Sequence, residues 1–278
     1  MILLSAFLYQ TPLPLIVFVL FISIFLFYLL GVKIGNYKKQ HNPEAKAEGI
    51  GPLEGALLGL LALLLSFTFG LSSSRYDARR ALIVQESNDI GTVILRSDMY
   101  PDTVRAMFRK DLQEYVEARL AYYDATDDVA INSSLSSATK ISDRVWNRAT
   151  ALAKKSPDFL RDNQMIPAIN AMLDIVTSRD ASRLATVPGQ VIYLLVCLTL
   201  LGSFIVGYGK KEKKNDWIIL TLYALMTVMT IYTILDLDRP RRGMIQTATP
   251  HEKMNELRNY FSMNTIMNLT SDIQYSPV

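Results

Sequence analysis

The chain has 278 residues, half of them hydrophobic, and a mean hydropathy of +0.18, a balance that soluble domains rarely reach. Its net charge of +3 comes without the basic, aromatic-interleaved surface that nucleic acid requires, so nucleic-acid binding is excluded. The single cysteine, Cys197, excludes an intramolecular disulfide, and the two histidines, His41 and His251, stand in no metal-ligand spacing.

Four apolar runs are long enough to cross a bilayer core of ~30 Å, which takes about 20 residues. They are Leu13–Val32, Leu53–Leu71, Gln190–Tyr208 and Trp217–Leu235. The first lacks a basic leader and is too long for a cleavable signal peptide. The fold class is therefore all-α. Residues 13–71 hold transmembrane helices one and two, 72–187 form an extramembrane helical domain, 190–236 hold helices three and four, and 237–278 form a tail.

The second run passes without a helix breaker into Ser72-Ser73-Ser74-Arg75-Tyr76-Asp77-Ala78-Arg79-Arg80 and on to Asp98. Read as one helix it would be about 70 Å long. Gly55, Gly59, Ala62, Ser66, Gly70, Ser73 and Asp77 recur at steps of three and four, so they share one side of it. Small residues in a membrane helix admit another helix or line a water-filled path. Both uses stay open. Glu54 reads as a first-turn carboxylate favoured by the helix dipole rather than as a cation site.

The insertion Ser72–Val187 has no glycine between Gly91 and Gly189, which favours helices over sheet. Val104, Phe108, Leu112, Tyr115 and Leu120 mark one stripe, broken at Thr126-Asp127-Asp128. A second helix is expected over Ser136–Lys155 with Ile141, Val145, Ala149 and Leu152 inward. Ser156-Pro157-Asp158 reads as a cap, a proline at the first helical position and a first-turn acid. The third helix then carries Leu160, Ile166, Ile169, Leu173 and Val176, and Trp146, Tyr122 and Tyr123 fill the core. After span four, Thr249-Pro250-His251-Glu252 has capping-box spacing ahead of an amphipathic helix with Met254, Leu257 and Phe261.

Spans two and four end in charge: Arg75, Asp77, Arg79 and Arg80 on one, Asp236, Asp238, Arg239, Arg241 and Arg242 on the other. With four spans these ends lie on the same side. The cluster reads either as a vestibule for ions or a lipid phosphate, or as helix ends that pair with one another. The short loops on the other side hold Lys33, Lys38, Lys39, Lys46, Lys210, Lys211, Lys213 and Lys214. By the positive-inside rule this places the helical domain and both termini outside, in the periplasm of a cell that has one. No nucleophile elbow, phosphate loop or acid–base pair appears, so no enzyme, cofactor or metal is expected.

Leu64-Leu65-Ser66-Phe67, then Ser73-Ser74-Arg75-Tyr76-Asp77-Ala78-Arg79-Arg80 with Asn88, and Leu235-Asp236-Leu237-Asp238-Arg239-Pro240 with Gly243, together resemble the bacterial bestrophin-like membrane proteins. Ala78-Arg79-Arg80-Ala81 stand where bestrophins carry Arg-Trp-Trp-Glu. The resemblance implies a homo-oligomeric ion channel in the bacterial inner membrane, a pentamer with span two around the axis. Inorganic ions and membrane lipid would be its partners. It also implies a cytoplasmic helical domain, against the lysine count, and a bulky neck where this chain has Ala62, Ser66 and Gly70. A non-conducting scaffold or sensor whose helical domain binds a partner is the competing reading.

Overall fold

The computed structural model describes residues 11–41, 50–125, 127–155, 157–210, 217–239 and 252–261, and among these every regular element is helical. In chain order they are α1 (Leu13–His41), α2 (Ile50–Arg96), a 3-10 turn (Ser97–Met99), α3 (Asp102–Asp124), α4 (Asp128–Lys155), α5 (Phe159–Leu184), α6 (Gly189–Gly209), α7 (Trp217–Leu237) and α8 (252–261). Among the described residues four stretches are long and apolar enough to cross a membrane, in α1, α2, the α5–α6 segment and α7. The chain divides into two compact units: Met1–Asp77 with Ala185–Gln246, and Ala78–Leu184 with Thr247–Val278. The unit boundary falls inside α2, a single helix of 47 residues.

In the first unit, α1, α6 and α7 bury Leu20, Ile24, Leu195, Leu198, Ala224, Val228 and Ile231 against one another. Three glycines set the spacing of α1 and α6. A Cβ on Gly31 would lie 2.1 Å from the Phe204 carbonyl oxygen, one on Gly35 2.6 Å from that of Tyr208, and one on Gly207 2.2 Å from that of Tyr28. Backbone meets backbone there, as small-xxx-small pairing permits. Hydroxyls within the spans donate to carbonyls one turn back: Thr68 to Leu64, Thr199 to Leu195, Ser203 to Thr199 and Thr230 to Met226. Such groups find no water in hydrocarbon and must be satisfied within the protein. Phe18, Leu26, Ile218, Leu222 and Met226 are exposed, the apolar surface that lipid contact calls for.

The second unit is a helical bundle. Ile90, Val93 and Ile94 of α2 pack with Phe108, Leu112, Tyr115 and Val116 of α3, with Val145 and Ala149 of α4, and with Met165, Ile169 and Met172 of α5. The tail helix α8 belongs here, burying Met254 and Leu257. Arg258 grips Glu117 through two bonds at 2.7 and 2.6 Å, and the Ser87 hydroxyl donates to the Lys253 carbonyl at 2.8 Å.

Several expectations shift at element ends. Helix α1 continues to His41, so Lys33, Lys38 and Lys39 are helical rather than in a loop. Helix α4 starts at Asp128, eight residues ahead of the expected Ser136, because the Asp127 carboxylate caps it by accepting the Ala130 N–H at 2.7 Å. Asp158, expected in the first turn of α5, instead precedes it and caps it: its carboxylate accepts the Arg161 N–H while its own N–H donates to Asp162. Leu160 is 68% exposed, since α5 buries Met165, Ala168, Ile169, Met172 and Ile175 instead. Glu54 lies beyond the first turn of α2. Lys46, Ser156, Lys211, Lys213, Lys214, Arg241, Arg242 and the Thr249–His251 part of the capping box lie outside the described residues.

Two outcomes follow. Gly31→Val should cost about 3 kcal/mol or more by forcing α1 from α6, whereas Gly202→Ala, whose Cβ would meet Leu58 and Tyr223 at 3.4 and 3.5 Å, should fold nearly as well; thermal melts of the purified chain check both. The Arg258 guanidinium holds the Glu117 carboxyl below its ordinary 4.5, so the stability it lends α8 is present above that value and lost as pH falls below it. Because the pair is solvent-screened, Glu117→Gln should speed amide exchange in 252–261 by up to about fivefold at pH 7. That difference should close when both proteins are compared at acidic pH.

Candidate functional site

Two features of the sequence ask for a place in the structure: the small-residue stripe of α2 and the charged span ends. The stripe is open. Gly55, Gly59, Ala62, Ser66, Gly70 and Asp77 are exposed and Ser73 is half-buried. A Cβ built on Gly55, Gly59 or Gly70 meets nothing within 4 Å. The face of α2 that is covered within the chain is another one, carrying Leu61, Thr68 and Ser72. Close packing inside the chain thus uses Gly31, Gly35 and Gly207, and the stripe of α2 takes no part in it. The spacing of Gly31 and Gly35 in α1 is the signal that would have pointed to this.

The charged ends converge on two consecutive residues, Asp238 and Arg239, both buried at the end of α7. One Asp238 carboxylate oxygen accepts the Val187 N–H at 2.8 Å, at the entry to α6. Its other oxygen lies 3.9 Å from Arg75 Nη1 on α2, an ion pair rather than a direct hydrogen bond. The Arg239 guanidinium donates to the Thr11 carbonyl at 2.8 Å, just ahead of α1. Four span ends therefore meet on one dipeptide. Asp236 is buried too, while Asp77 is exposed and Arg80 half-buried. Arg79 is buried and lies in the helical unit.

A second charged centre was not foreseen. In the helical unit Glu86 is fully buried and takes Arg119 Nε at 2.5 Å, the Tyr123 hydroxyl at 3.1 Å, and the Arg179 guanidinium. Asp111, also buried, is held by Arg148 at 2.7 Å and Arg144 at 3.2 Å. No group of His, Cys, Asp and Glu among the described residues is placed to hold a metal.

The fold has known counterparts. The bestrophin-like domain matches residues 16–249. A solved point mutant of a bacterial bestrophin homologue from Klebsiella pneumoniae superposes with a TM-score of 0.68, covering 92% of this chain and 99% of that one at 11% identity. Another structure of a homologue from that organism gives 0.64, with 89% and 98% covered at 12% identity. No curated protein matches the chain by sequence. At such identity the structural likeness concerns the fold, and the match to the domain carries the relationship itself. With that domain recognised over most of its length and four helices able to cross a bilayer, the chain is a multi-pass membrane protein that belongs to the bestrophin-like family.

Proposed function

We propose that the protein is a homo-oligomeric ion channel or pore in which α2 surrounds the axis. The observation that carries this reading is the contrast between glycines. Those on α1 and α6 are sealed by backbone, whereas Gly55, Gly59 and Gly70 of α2 face open space among the described residues of a single chain. A helix face this smooth, unfilled by its own chain, suits either close contact with the next subunit or a water-filled lumen. Closed rotational symmetry would bring copies of α2 together, with five copies as in the bestrophins that the sequence resembles. Ser66 and Ser73 add hydroxyls to that wall, and inorganic ions are the expected cargo. Asp238 and Arg239 would fix the ends of the spans around it, and membrane lipid would cover α1 and α7. The setting is the bacterial inner membrane, and no enzymatic role is proposed.

The purified oligomer in planar bilayers tests the reading. Conductance is expected, and Ser66→Trp should abolish it while leaving the oligomer intact. Silence toward both cations and anions from an intact oligomer would favour the non-conducting scaffold, and a dimer would leave α2 without an axial lumen.

At the span ends, Asp238→Asn keeps an acceptor for Val187 but removes the charge facing Arg75, and should cost about 1–3 kcal/mol. Exposed Asp77→Asn should stay within about 0.5 kcal/mol, so melting curves of the two variants tell an ion-pair anchor from a bare surface charge.

For sidedness, the lysines of the short-loop side favour a helical unit outside, whereas a bestrophin-like arrangement would have it in the cytoplasm. A cysteine at exposed Ser133, in a Cys197→Ala background, reports the answer through an impermeant thiol reagent. Labelling in outer-membrane-permeabilised cells supports the exoplasmic arrangement; protection until lysis establishes the cytoplasmic one.

A further inference from the structure

We propose that α1 holds a phospholipid of net negative charge against its outer face, with Lys33 as the contact to the phosphodiester. The proposal rests on the reading that lipid covers α1 and is independent of whether the assembly conducts. Leu15, Phe18, Ile22, Leu26 and Leu29 recur on α1 at steps of three and four, and all are exposed. They form one apolar stripe on the side away from Gly31 and Gly35, which face the α6 backbone. The next two positions in the same register are Lys33 and Tyr37, both exposed.

The fold of the single chain does not account for the charge of Lys33, although it accounts for its neighbours. Lys38, Lys39 and His41 stand in the last turn of α1, where cations favour the helix dipole. Lys39 also donates to the Lys210 carbonyl at the end of α6, and Lys38 lies over the Tyr208 ring at 5.8 Å. Lys33 comes two turns before the end of the helix, and no acidic side chain among the described residues pairs with it.

Depth supplies the partner. From Leu15 to Lys33 the stripe rises about 27 Å, close to the thickness of a hydrocarbon core. Lys33 therefore stands at its boundary, where the stem lies along the apolar face and the ammonium reaches the headgroups. Trp217, stacked on Phe25 at 6.3 Å and edge-on to Tyr28 at 6.5 Å, forms an aromatic belt just inside that boundary. The anion found at this depth is the lipid phosphodiester. A zwitterionic headgroup offers its own amine to that phosphate, whereas an anionic one leaves it to Lys33. That competition is why the assignment is a lipid of net negative charge.

The test puts a fluorescent reporter on the stripe, Leu29→Trp, with Trp146→Phe and Trp217→Phe removing the two native tryptophans. The purified full chain is placed in phosphatidylcholine vesicles. Phosphatidylglycerol with brominated chains, added as a minor fraction, should associate at the reporter about fivefold more strongly than brominated phosphatidylcholine, the preference expected of one lysine at the surface. Lys33→Gln should bring that ratio close to one, Lys33→Arg should keep it, and Lys38→Gln should change it by less than about twofold. Inorganic phosphate at constant ionic strength should leave it unchanged. Mass spectra of the chain with its native tryptophans, released from mixed micelles, should show phosphatidylglycerol retained and then lost on Lys33→Gln, a readout that stands where the reporter background fails to fold. A ratio near one with Lys33 present, no retained phosphatidylglycerol, an equal loss in Lys38→Gln, or displacement by phosphate would each overturn the proposal. Absence of quenching by either lipid would overturn the reading that lipid covers α1, and the proposal with it.

Discussion

The Asp238 carboxylate is the contact on which the arrangement of the spans depends. It sits at the end of α7, almost wholly buried, and holds the Val187 N–H at the entry to α6 and Arg75 on α2. Arg239 beside it reaches the chain ahead of α1. Hydrophobic burial does little to choose one arrangement of helices over another in lipid, because lipid tails are as apolar as leucine. Directional contacts must make that choice. Two adjacent residues of opposite charge, each addressing different span ends, restrict the register of all four spans at one level. The pair is best read as a device for specificity, since a buried ion pair is weak evidence for net stability.

Helix α2 stands apart because its residues serve both compact units and its faces are used unequally. Its buried positions include Leu61, Thr68 and Ser72 in one unit, and Arg79, Ile83, Glu86, Ser87, Ile90, Val93 and Ile94 in the other. The glycines of its small-residue stripe, Gly55, Gly59 and Gly70, have open space beside them among the described residues. A helix packed only against lipid would gain nothing from losing its side chains, since glycine in a helix interior costs about 1 kcal/mol against alanine. Several glycines at regular spacing on an exposed face therefore point to something that demands closeness or space. Within one chain, backbone-to-backbone approach is met by Gly31, Gly35 and Gly207, which leaves the α2 stripe for contacts or passage beyond it.

Much of this was legible in the sequence where periodicity and composition speak. The long second helix follows from an apolar run that continues into a polar helix without a breaker, and the stripes at Phe108, Leu112 and Tyr115 and at Val145 and Ala149 are buried as their spacing demands. The missed details have physical causes. Capping belongs to whichever side chain reaches the free N–H groups: Asp127, read as part of a break, caps α4, and Asp158, read as a first-turn acid, caps α5. Leu160 fits the period of α5 yet lies in its first turn, where no helix of its unit covers it. The Gly31–Gly35 spacing was visible but was obscured by a longer run of small residues in α2. Glu86, Arg119 and Arg179 were illegible for a different reason: they are 33 and 93 residues apart, and each alone looks like a solvated charge on an amphipathic helix.

The two units also handle buried polarity differently. In the unit that holds α1, α6 and α7, the buried hydroxyls of Thr68, Thr199 and Ser203 are satisfied by carbonyls one turn back, while its buried charges gather at Asp238 and Arg239. The helical unit buries full charges, Glu86 with two arginines and Asp111 with two more, and each set joins different helices. Arg144 and Arg148 stay partly exposed while the Asp111 carboxylate they hold is shielded. Glu86 and Arg119 lack that relief, since both are sealed from solvent. Each balances the charge of the other, and Arg179, which reaches the edge of the core, adds the second guanidinium to the same carboxylate.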